Sequence, residues 1–121
     1  MQDYKKLKVW QQAHQFVLAI YKISGSFPDS ERYGLQNQLR RSAYSIPANI
    51  AEGCGKNSGA ELAHFLNTSL GSANEVDYYL LLINDLGYIN AEEYVNLNAG
   101  INEIKAMLIT LIQKVRSNKK T

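Results

Sequence analysis

One pair of residues, Glu61 and His64, has a spacing that metal-binding helical bundles use. In di-iron bundles each Glu-x-x-His pair faces a second such pair and a glutamate from each of two further helices. The only other histidine of this chain is His14, and the residue three positions before it is Gln11. Because the second pair is missing, we interpret Glu61 as a helix cap and His64 as an ordinary helix residue.

Cys54 is the single cysteine, so the chain has no internal disulfide, which agrees with a reducing compartment. It lies between Gly53 and Gly55, with no histidine nearby in the sequence and no nucleophile-elbow motif. The glycine-rich segment 53–59 lacks the Walker spacing and a preceding strand, and it predicts a turn between helices whose amides could hold an anion. We expect no enzymatic activity, with no catalytic residue, metal ligand or cofactor.

Two amphipathic helices are predicted in the first half of the chain, because apolar residues recur there at steps of three and four. The first helix runs from about Lys8 to about Ser24. The second opens at the Phe-Pro-Asp-Ser segment 27–30 and ends at 53–55, where two glycines tolerate left-handed geometry. Pro47 falls inside this helix, and we expect a kink there because the apolar period continues on both sides.

Two further helices are predicted in the second half. Ser58 and Glu61 have capping-box spacing, and the helix that they open continues to Leu86, where Gly87 can end it. Asn90 opens the fourth helix in the same way. Its apolar seam alternates steps of three and four through Tyr94, Leu97, Ile101, Ile104, Leu108, Leu111 and Val115. Four helices with short turns predict an all-α, up-down-up-down antiparallel four-helix bundle.

The length and composition fit this fold. The chain has 121 residues, 45% of them hydrophobic, which is enough for one core and leads us to expect a single domain over residues 1–121 with short flexible basic ends. The first residues lack the apolar region of a secretory signal, and no apolar run has the length of a membrane span. We therefore expect a cytoplasmic protein without a membrane partner.

Several short sequence segments resemble those of a known family. The longest are LKVWQQAH at 7–14, YGLQNQLRRSA at 33–43 and SIPANIAEG at 45–53, and shorter ones lie at 65–66, 71–73 and 86–88. Together they resemble the bacterial four-helix-bundle proteins encoded in intervening sequences of 23S ribosomal RNA genes. The resemblance implies a ring-like homopentamer. It also implies a relation to accessory proteins of diversity-generating retroelements, for which a reverse transcriptase would be a partner.

The predicted topology concentrates positive charge at one end of the bundle, because the N-terminus, the turn after the second helix and the C-terminus meet there. Eight cations lie at this end against Asp3, Glu52 and Glu61: Lys5, Lys6, Lys8, Lys56, Lys114, Arg116, Lys119 and Lys120. One interpretation is that they bind the phosphates of RNA or DNA. The other is that they serve solubility and stabilise the C-terminus of the fourth helix.

A second pair of cations, Arg40 and Arg41, lies in the middle of the second helix. One of the two should flank the apolar stripe and the other should point away from it. Two roles remain open for the pair, which are phosphate binding and ion pairing across a subunit interface. The candidate nucleic-acid-binding residues are therefore Arg40, Arg41, Lys56, Lys114, Arg116, Lys119 and Lys120.

The third helix predicts self-assembly, because residues 78–83 are apolar around its whole circumference. The first helix adds Phe16, Leu18 and Ile23 off its stripe, although a wide core could hide part of this surface. The candidate interface residues are Gly71, Ser72, Tyr78, Tyr79, Leu81 and Leu82. We expect a homo-oligomeric scaffold, most specifically a pentamer, that binds RNA or DNA. The alternatives are a protein-interaction adaptor without nucleic-acid binding and a bundle enzyme or metal protein.

Overall fold

A computed structural model describes residues 2–118, in which the chain forms four long helices. They are α1 (Lys8–Ser24), α2 (Leu35–Cys54), α3 (Gly59–Asp85) and α4 (Ala91–Asn118), with short 3-10 turns at Tyr4–Lys6 and Asp29–Glu31. Each helix packs against the next one along the chain, and α4 closes the arrangement against α1. The predicted all-α four-helix bundle is confirmed.

Neighbouring helices run in opposite directions. Between α2 and α3 the Ser42 hydroxyl donates to the Glu75 carboxylate, whereas Ser45, further along α2, pairs with Ser72, which lies earlier on α3. The start of α1 and the end of α4 line one groove, and the end of α1 and the start of α4 line another. Short turns allow only this up-down-up-down order of antiparallel neighbours.

The buried side chains of all four helices form one hydrophobic core. Side chains with almost no exposed surface come from every helix: Ile20, Leu39, Ile46, Ile50, Leu66, Leu80, Ile83, Ile101, Ile104 and Leu108. Burying each one stabilises the fold by about 1.5–3 kcal/mol relative to leaving it exposed. Within residues 2–118, no helix has the length and apolar character needed to cross a membrane.

Two side chains lie elsewhere than the sequence pattern indicates. Phe16 is buried and its ring lies against Gly100 of α4, so it belongs to the core and adds nothing to an assembly surface. On α4 the buried stripe shifts from Leu111, which is half-buried, to Ile112, which is 5% exposed. An α-helix has 3.6 residues per turn, so a strict 3.5-residue seam drifts off the core after a few turns.

The boundaries of α3 and α4 follow the predicted chemistry. The Glu93 amide donates to the Asn90 side chain at 2.7 Å, and the Asn90 amide donates to the Glu93 carboxylate at 2.9 Å, which is a reciprocal capping box. After α3, Gly87 has a φ of +77°, and the Tyr88 amide donates to the Ile83 carbonyl at 2.9 Å. This Schellman closure confirms the predicted role of the glycine.

The boundaries of α2 differ from the prediction. The helix begins at Leu35, after the 3-10 turn, because Gly34 has a non-helical backbone with φ −106° and ψ −107°. At its other end the prediction of left-handed glycines is wrong, since Gly55 has a φ of −83°. Gly53 instead lies inside the helix, where an added Cβ would come within 2.9 Å of the Phe65 Cβ. Close packing against α3 is therefore the reason for this glycine.

Helix α2 continues through Pro47, whose side chain is buried. The helix is not divided into two pieces, which agrees with the expectation that the apolar period outweighs the lost backbone hydrogen bond. Next to the proline, the Ser69 hydroxyl of α3 donates to the Ile46 carbonyl at 2.8 Å. A bend of the helix axis at this point stays a prediction.

Candidate nucleic-acid interface

The first described residues and the end of α4 meet beside the α2–α3 turn. The Gln2 amide donates to the Cys54 carbonyl at 3.0 Å, which ties the N-terminal segment to the end of α2. A cleft of about 300 Å³ is lined by Gln2, Lys56 of the turn, and Asn118 of α4. The topology therefore brings together the segments that carry the predicted basic residues.

Helix α3 starts at this cleft. The Glu61 amide donates to the Ser58 hydroxyl at 3.1 Å, and that hydroxyl donates to the Glu61 carboxylate at 3.2 Å. The Ser58 cap satisfies one of the free amides at the helix N-terminus, whose partial positive charge adds to the field of nearby cations. Lys56 is half-buried, and its ammonium lies 5.2 Å from the centre of the Phe65 ring.

The other basic residues of this end lie on α1 and α4. Lys114 and Arg116 are exposed near the end of α4. Lys114 and Lys8 line a groove of about 370 Å³ between the end of α4 and the start of α1. Two further candidates from the sequence, Lys119 and Lys120, lie outside the described residues.

Among residues 2–118, the cations at this end form no ion pairs with carboxylates. We define the basic end by its cations within residues 2–118, which are Lys5, Lys6, Lys8, Lys56, Lys114 and Arg116. In the described part of the chain, the ion pair is Lys105 with Asp77 at 3.0 Å, in the middle of the bundle. Six cations therefore face solvent or aromatic rings, with three carboxylates, Asp3, Glu52 and Glu61, at the same end.

The structure does not bring Arg40 and Arg41 to the basic end. The Arg40 guanidinium lies at the end of α1, where it donates to the Ser24 hydroxyl at 2.7 Å and to the Tyr21 carbonyl at 3.1 Å. It also lies over the Tyr21 ring, 4.5 Å from its centre. Arg41 is exposed on the outside of α2. Only Arg41 of this pair has its charge available to a partner from outside the chain.

The outer face of α3 carries the apolar residues predicted at an interface. Tyr78 is 58% exposed and Leu81 is 45% exposed, and Gly71 lies on the same exposed face. Tyr79 and Leu82 are half-buried, so they share their contact between this surface and the bundle. The described surface of α3 therefore holds apolar area that has no partner within the chain.

A polar groove of about 340 Å³ separates α2 from α3 beside this face. Ser45 and Ser72 pair across it at 2.9 Å, and Arg41, Tyr44 and Glu75 stand at its edges. Tyr44, which is 44% exposed, was not predicted as a surface residue. The available signal was the pair of serines three residues apart on each helix, at 42 and 45 and at 69 and 72, because residues at this spacing share a helix face.

Among residues 2–118, three groups have shifted pKa values, and none lies in a cluster that suggests catalysis. Burial raises the pKa of the Cys54 thiol, which disfavours the nucleophilic thiolate. Burial and then the charge of Glu75 raise the pKa of Tyr79. The hydrogen bond from the Tyr88 hydroxyl to Glu31, 2.9 Å long, is the main cause that raises the pKa of Tyr88.

The residues of the Glu-x-x-His pair have other neighbours. Glu61 belongs to the cap of α3, and the His64 ring meets the Phe65 ring edge-on with 5.3 Å between centres. In residues 2–118, no group of three or more histidine, cysteine, aspartate or glutamate side chains is arranged to hold a metal ion.

The fold and these surfaces define a small four-helix bundle with a cationic end. The 23S rRNA-intervening sequence protein family matches residues 5–110 of the chain. The solved structures that it resembles include a protein with unknown function from the S23 ribosomal protein family of Bacteroides thetaiotaomicron. The two are 31% identical over 87% of this chain and 95% of that chain, with a TM-score of 0.81. A search of curated proteins found no match.

The chain therefore belongs to the 23S rRNA-intervening sequence protein family. The resemblance seen in the sequence segments is confirmed at the level of the family and of the fold. The relation to retroelement accessory proteins stays a prediction.

Proposed function

We propose that this protein is a non-enzymatic, homo-oligomeric helical scaffold that binds RNA or DNA through its basic end. The observation that carries the proposal is the meeting of the N-terminal segment, the α2–α3 turn and the end of α4 around one cleft. This arrangement gathers cations that are far apart in the sequence. When clustered cations neutralise the phosphates of a nucleic acid, the counterions condensed on that nucleic acid are released, which favours binding.

Assembly would strengthen this binding. If several copies pack through the outer face of α3, with Tyr78 and Leu81 buried between them, their basic ends can share one nucleic acid. We propose a pentamer, which is the assembly that the family resemblance implies. The family is named for intervening sequences of 23S rRNA, which makes RNA the first ligand to test. A reverse transcriptase is a further proposed partner if the protein belongs to the retroelement-associated group.

The test is the salt dependence of binding to a structured RNA and to a DNA duplex, followed by fluorescence anisotropy. The double variant Lys114→Gln/Arg116→Gln should bind more weakly. The slope of log affinity against log salt concentration should become less negative by about 0.9 for each phosphate that the variant no longer neutralises. The matched control is Lys22→Gln/Arg32→Gln, which removes the same two charge types from exposed positions at the opposite end.

The two variants separate direct phosphate binding from the effect of net charge. Equal weakening in both would mean that only the net charge matters. If Lys114→Gln/Arg116→Gln binds with the same salt dependence as the wild type, the basic end takes no part in binding. A wild-type protein that binds neither nucleic acid at low salt would contradict the proposal. Adding Lys119→Gln and Lys120→Gln extends the series to the last cations of the chain.

One observation favours the alternative, a protein-interaction adaptor. The groove beside the α3 face is lined by Arg41, Tyr44 and Glu75, and tyrosine and arginine are the residue types enriched at protein interfaces. An adaptor would bind its partner through this groove with little dependence on the basic end. Loss of partner binding in Arg41→Ala, with nucleic-acid binding absent in the wild type, would support the adaptor.

A further inference from the structure

Three aromatic rings stand in a row beside the N-terminal lysines. Tyr4 meets Trp10 edge-on with 4.9 Å between ring centres, and Trp10 is stacked on His14 at 5.2 Å with the rings 4° from parallel. We refer to Tyr4, Trp10 and His14 as the ring row. Tyr4 and Trp10 are half-buried and pack against the core, whereas His14 is exposed. The outermost ring is therefore accessible from solvent.

Hydrogen bonds hold the segment that carries Tyr4. The Lys5 amide donates to the Asp3 carboxylate at 3.1 Å, and the Gln11 side-chain amide donates to the Lys5 carbonyl at 2.8 Å. The Gln2 amide bonds to the Cys54 carbonyl at 3.0 Å. These contacts fix the segment to α1 and α2, so the ring row exists before any ligand arrives. A preformed site loses less entropy when a ligand binds.

Exposed lysines lie in the same N-terminal segment as Tyr4. Lys5, Lys6 and Lys8 are exposed, and the Lys5 ammonium lies 5.9 Å from the centre of the Tyr4 ring. The acidic residue of this segment is Asp3, and its carboxylate already accepts the Lys5 amide. Three lysines against one aspartate give the segment a net positive charge. An aromatic surface flanked by cations suits a ligand that has flat rings on a phosphate backbone.

We propose that the ring row is a stacking site for an unpaired base of single-stranded RNA or DNA, whose phosphates are bound by Lys5 and Lys6. This inference rests on the proposed function and gives it a preference for unpaired strands. A duplex keeps its bases stacked inside the helix. Its phosphates can therefore contact the lysines, but its bases are not free to stack on the exposed ring of His14.

Packing alone explains only part of the ring row. Tyr4 and Trp10 cover the core, and that role needs no further ring. His14 adds an exposed ring that is parallel to Trp10, one helical turn along α1. A base stacked on His14 would extend an existing parallel pair and would add little strain.

The protein provides its own probe, because Trp10 is the single tryptophan. We would titrate unstructured single-stranded RNA and DNA oligonucleotides of about 12 nucleotides, a length within the range of a small binding domain, and a duplex of the same length. The single strands should change the fluorescence of Trp10 as they bind. The duplex should bind through the basic end with little change in fluorescence. The RNA and DNA arms show which backbone is preferred.

The decisive variants remove or replace the outermost ring. His14→Ala should weaken single-strand binding about fivefold or more, the lower end of what one stacked base contributes, and should leave duplex binding unchanged. His14→Phe keeps a stacking surface and should restore single-strand binding. The matched control is His64→Ala, which removes the other exposed histidine from α3 and should have no effect on the preference for single strands.

Each outcome decides between the two proposals. If His14→Ala binds single strands as tightly as the wild type, or if His64→Ala weakens binding as much, the ring row is not a stacking site. Duplex binding that persists in that case leaves the proposed function intact. If the wild-type protein binds neither the single strands nor the duplex at low salt, both proposals are wrong.

Discussion

Gly53 shows how a missing side chain sets the distance between two helices. Its position inside α2 would place a Cβ 2.9 Å from the Phe65 Cβ and 3.0 Å from the Leu62 Cδ1 of α3. The sequence led to a different interpretation, because a glycine near the end of an apolar stripe usually closes a helix. A glycine needed for close packing leaves the same signal in a single sequence as one needed for a turn.

We therefore predict that Gly53→Ala destabilises the protein although alanine favours helix. Overpacking costs about 1–3 kcal/mol, which outweighs the gain of about 1 kcal/mol from removing a glycine from a helix. The control is Gly59→Ala at the start of α3, where the nearest atom lies 3.6 Å from the added Cβ, an ordinary van der Waals contact. It should be neutral or stabilising in urea unfolding. Equal effects in the two variants would contradict the packing argument.

A second residue-scale prediction concerns the pH dependence of stability. Burial raises the pKa of the Cys54 thiol, so the folded state holds this proton more tightly than the unfolded state does. The resulting stability is present below the unfolded pKa of about 8.5 and is lost as the pH rises through the folded pKa. The free energy of unfolding should thus fall above about pH 8.5, and fall less steeply in Cys54→Ala. Identical slopes would exclude the thiol as a cause.

At the scale of elements, Arg40 and Arg41 show what neighbouring residues on one helix can do differently. The sequence predicted that one would flank the core, and the structure identifies it as Arg40, which bonds to the end of α1. The sequence could not predict which of the two arginines faces α1, because the rotation of α2 about its axis depends on how the two helices pack. The open grooves along the α1–α4 seam follow from packing in the same way.

We predict that Arg40→Met destabilises the protein by about 1–3 kcal/mol, since hydrogen bonds to a charged group are removed and the buried Ser24 hydroxyl is left without that donor. Arg41→Met should stay within about 0.5 kcal/mol of the wild type, as is usual for an exposed residue. Urea unfolding of both variants measures the difference. A stable Arg40→Met variant with weakened nucleic-acid binding would instead favour the phosphate-binding role.

At the scale of the whole molecule, the sequence predicted more of the architecture than of the surfaces. Helix periods, the Asn90 cap and Gly87 determine the topology, and the topology by itself brings Lys56 close to Gln2 and to the end of α4. The predicted basic end therefore needed no knowledge of side-chain positions. The exposure of Tyr44 did need it, because both flanks of an amphipathic stripe look alike in the sequence.

The interface proposed on α3 gives a prediction about assembly. Leu81→Glu should lower the oligomer to smaller species while the helix content stays, because a charge cannot be buried without a partner and Leu81 is exposed in the single chain. Tyr79→Glu is a harsher change, since Tyr79 also packs against the core. The control is Val95→Glu on α4, which is 63% exposed and lies outside the proposed interface. Sedimentation velocity measures the size of each variant. An oligomer of unchanged size in Leu81→Glu would contradict the proposed interface.

The most direct test of an oligomeric, nucleic-acid-binding scaffold is the molar mass measured by light scattering for the protein with and without a structured RNA at low salt. One chain has a mass of 13.6 kDa, so five copies should give about 68 kDa, and the complex should add the mass of the RNA. That result would support both the assembly and the binding of nucleic acid. A species of 13.6 kDa that elutes apart from the RNA would contradict both parts of the claim.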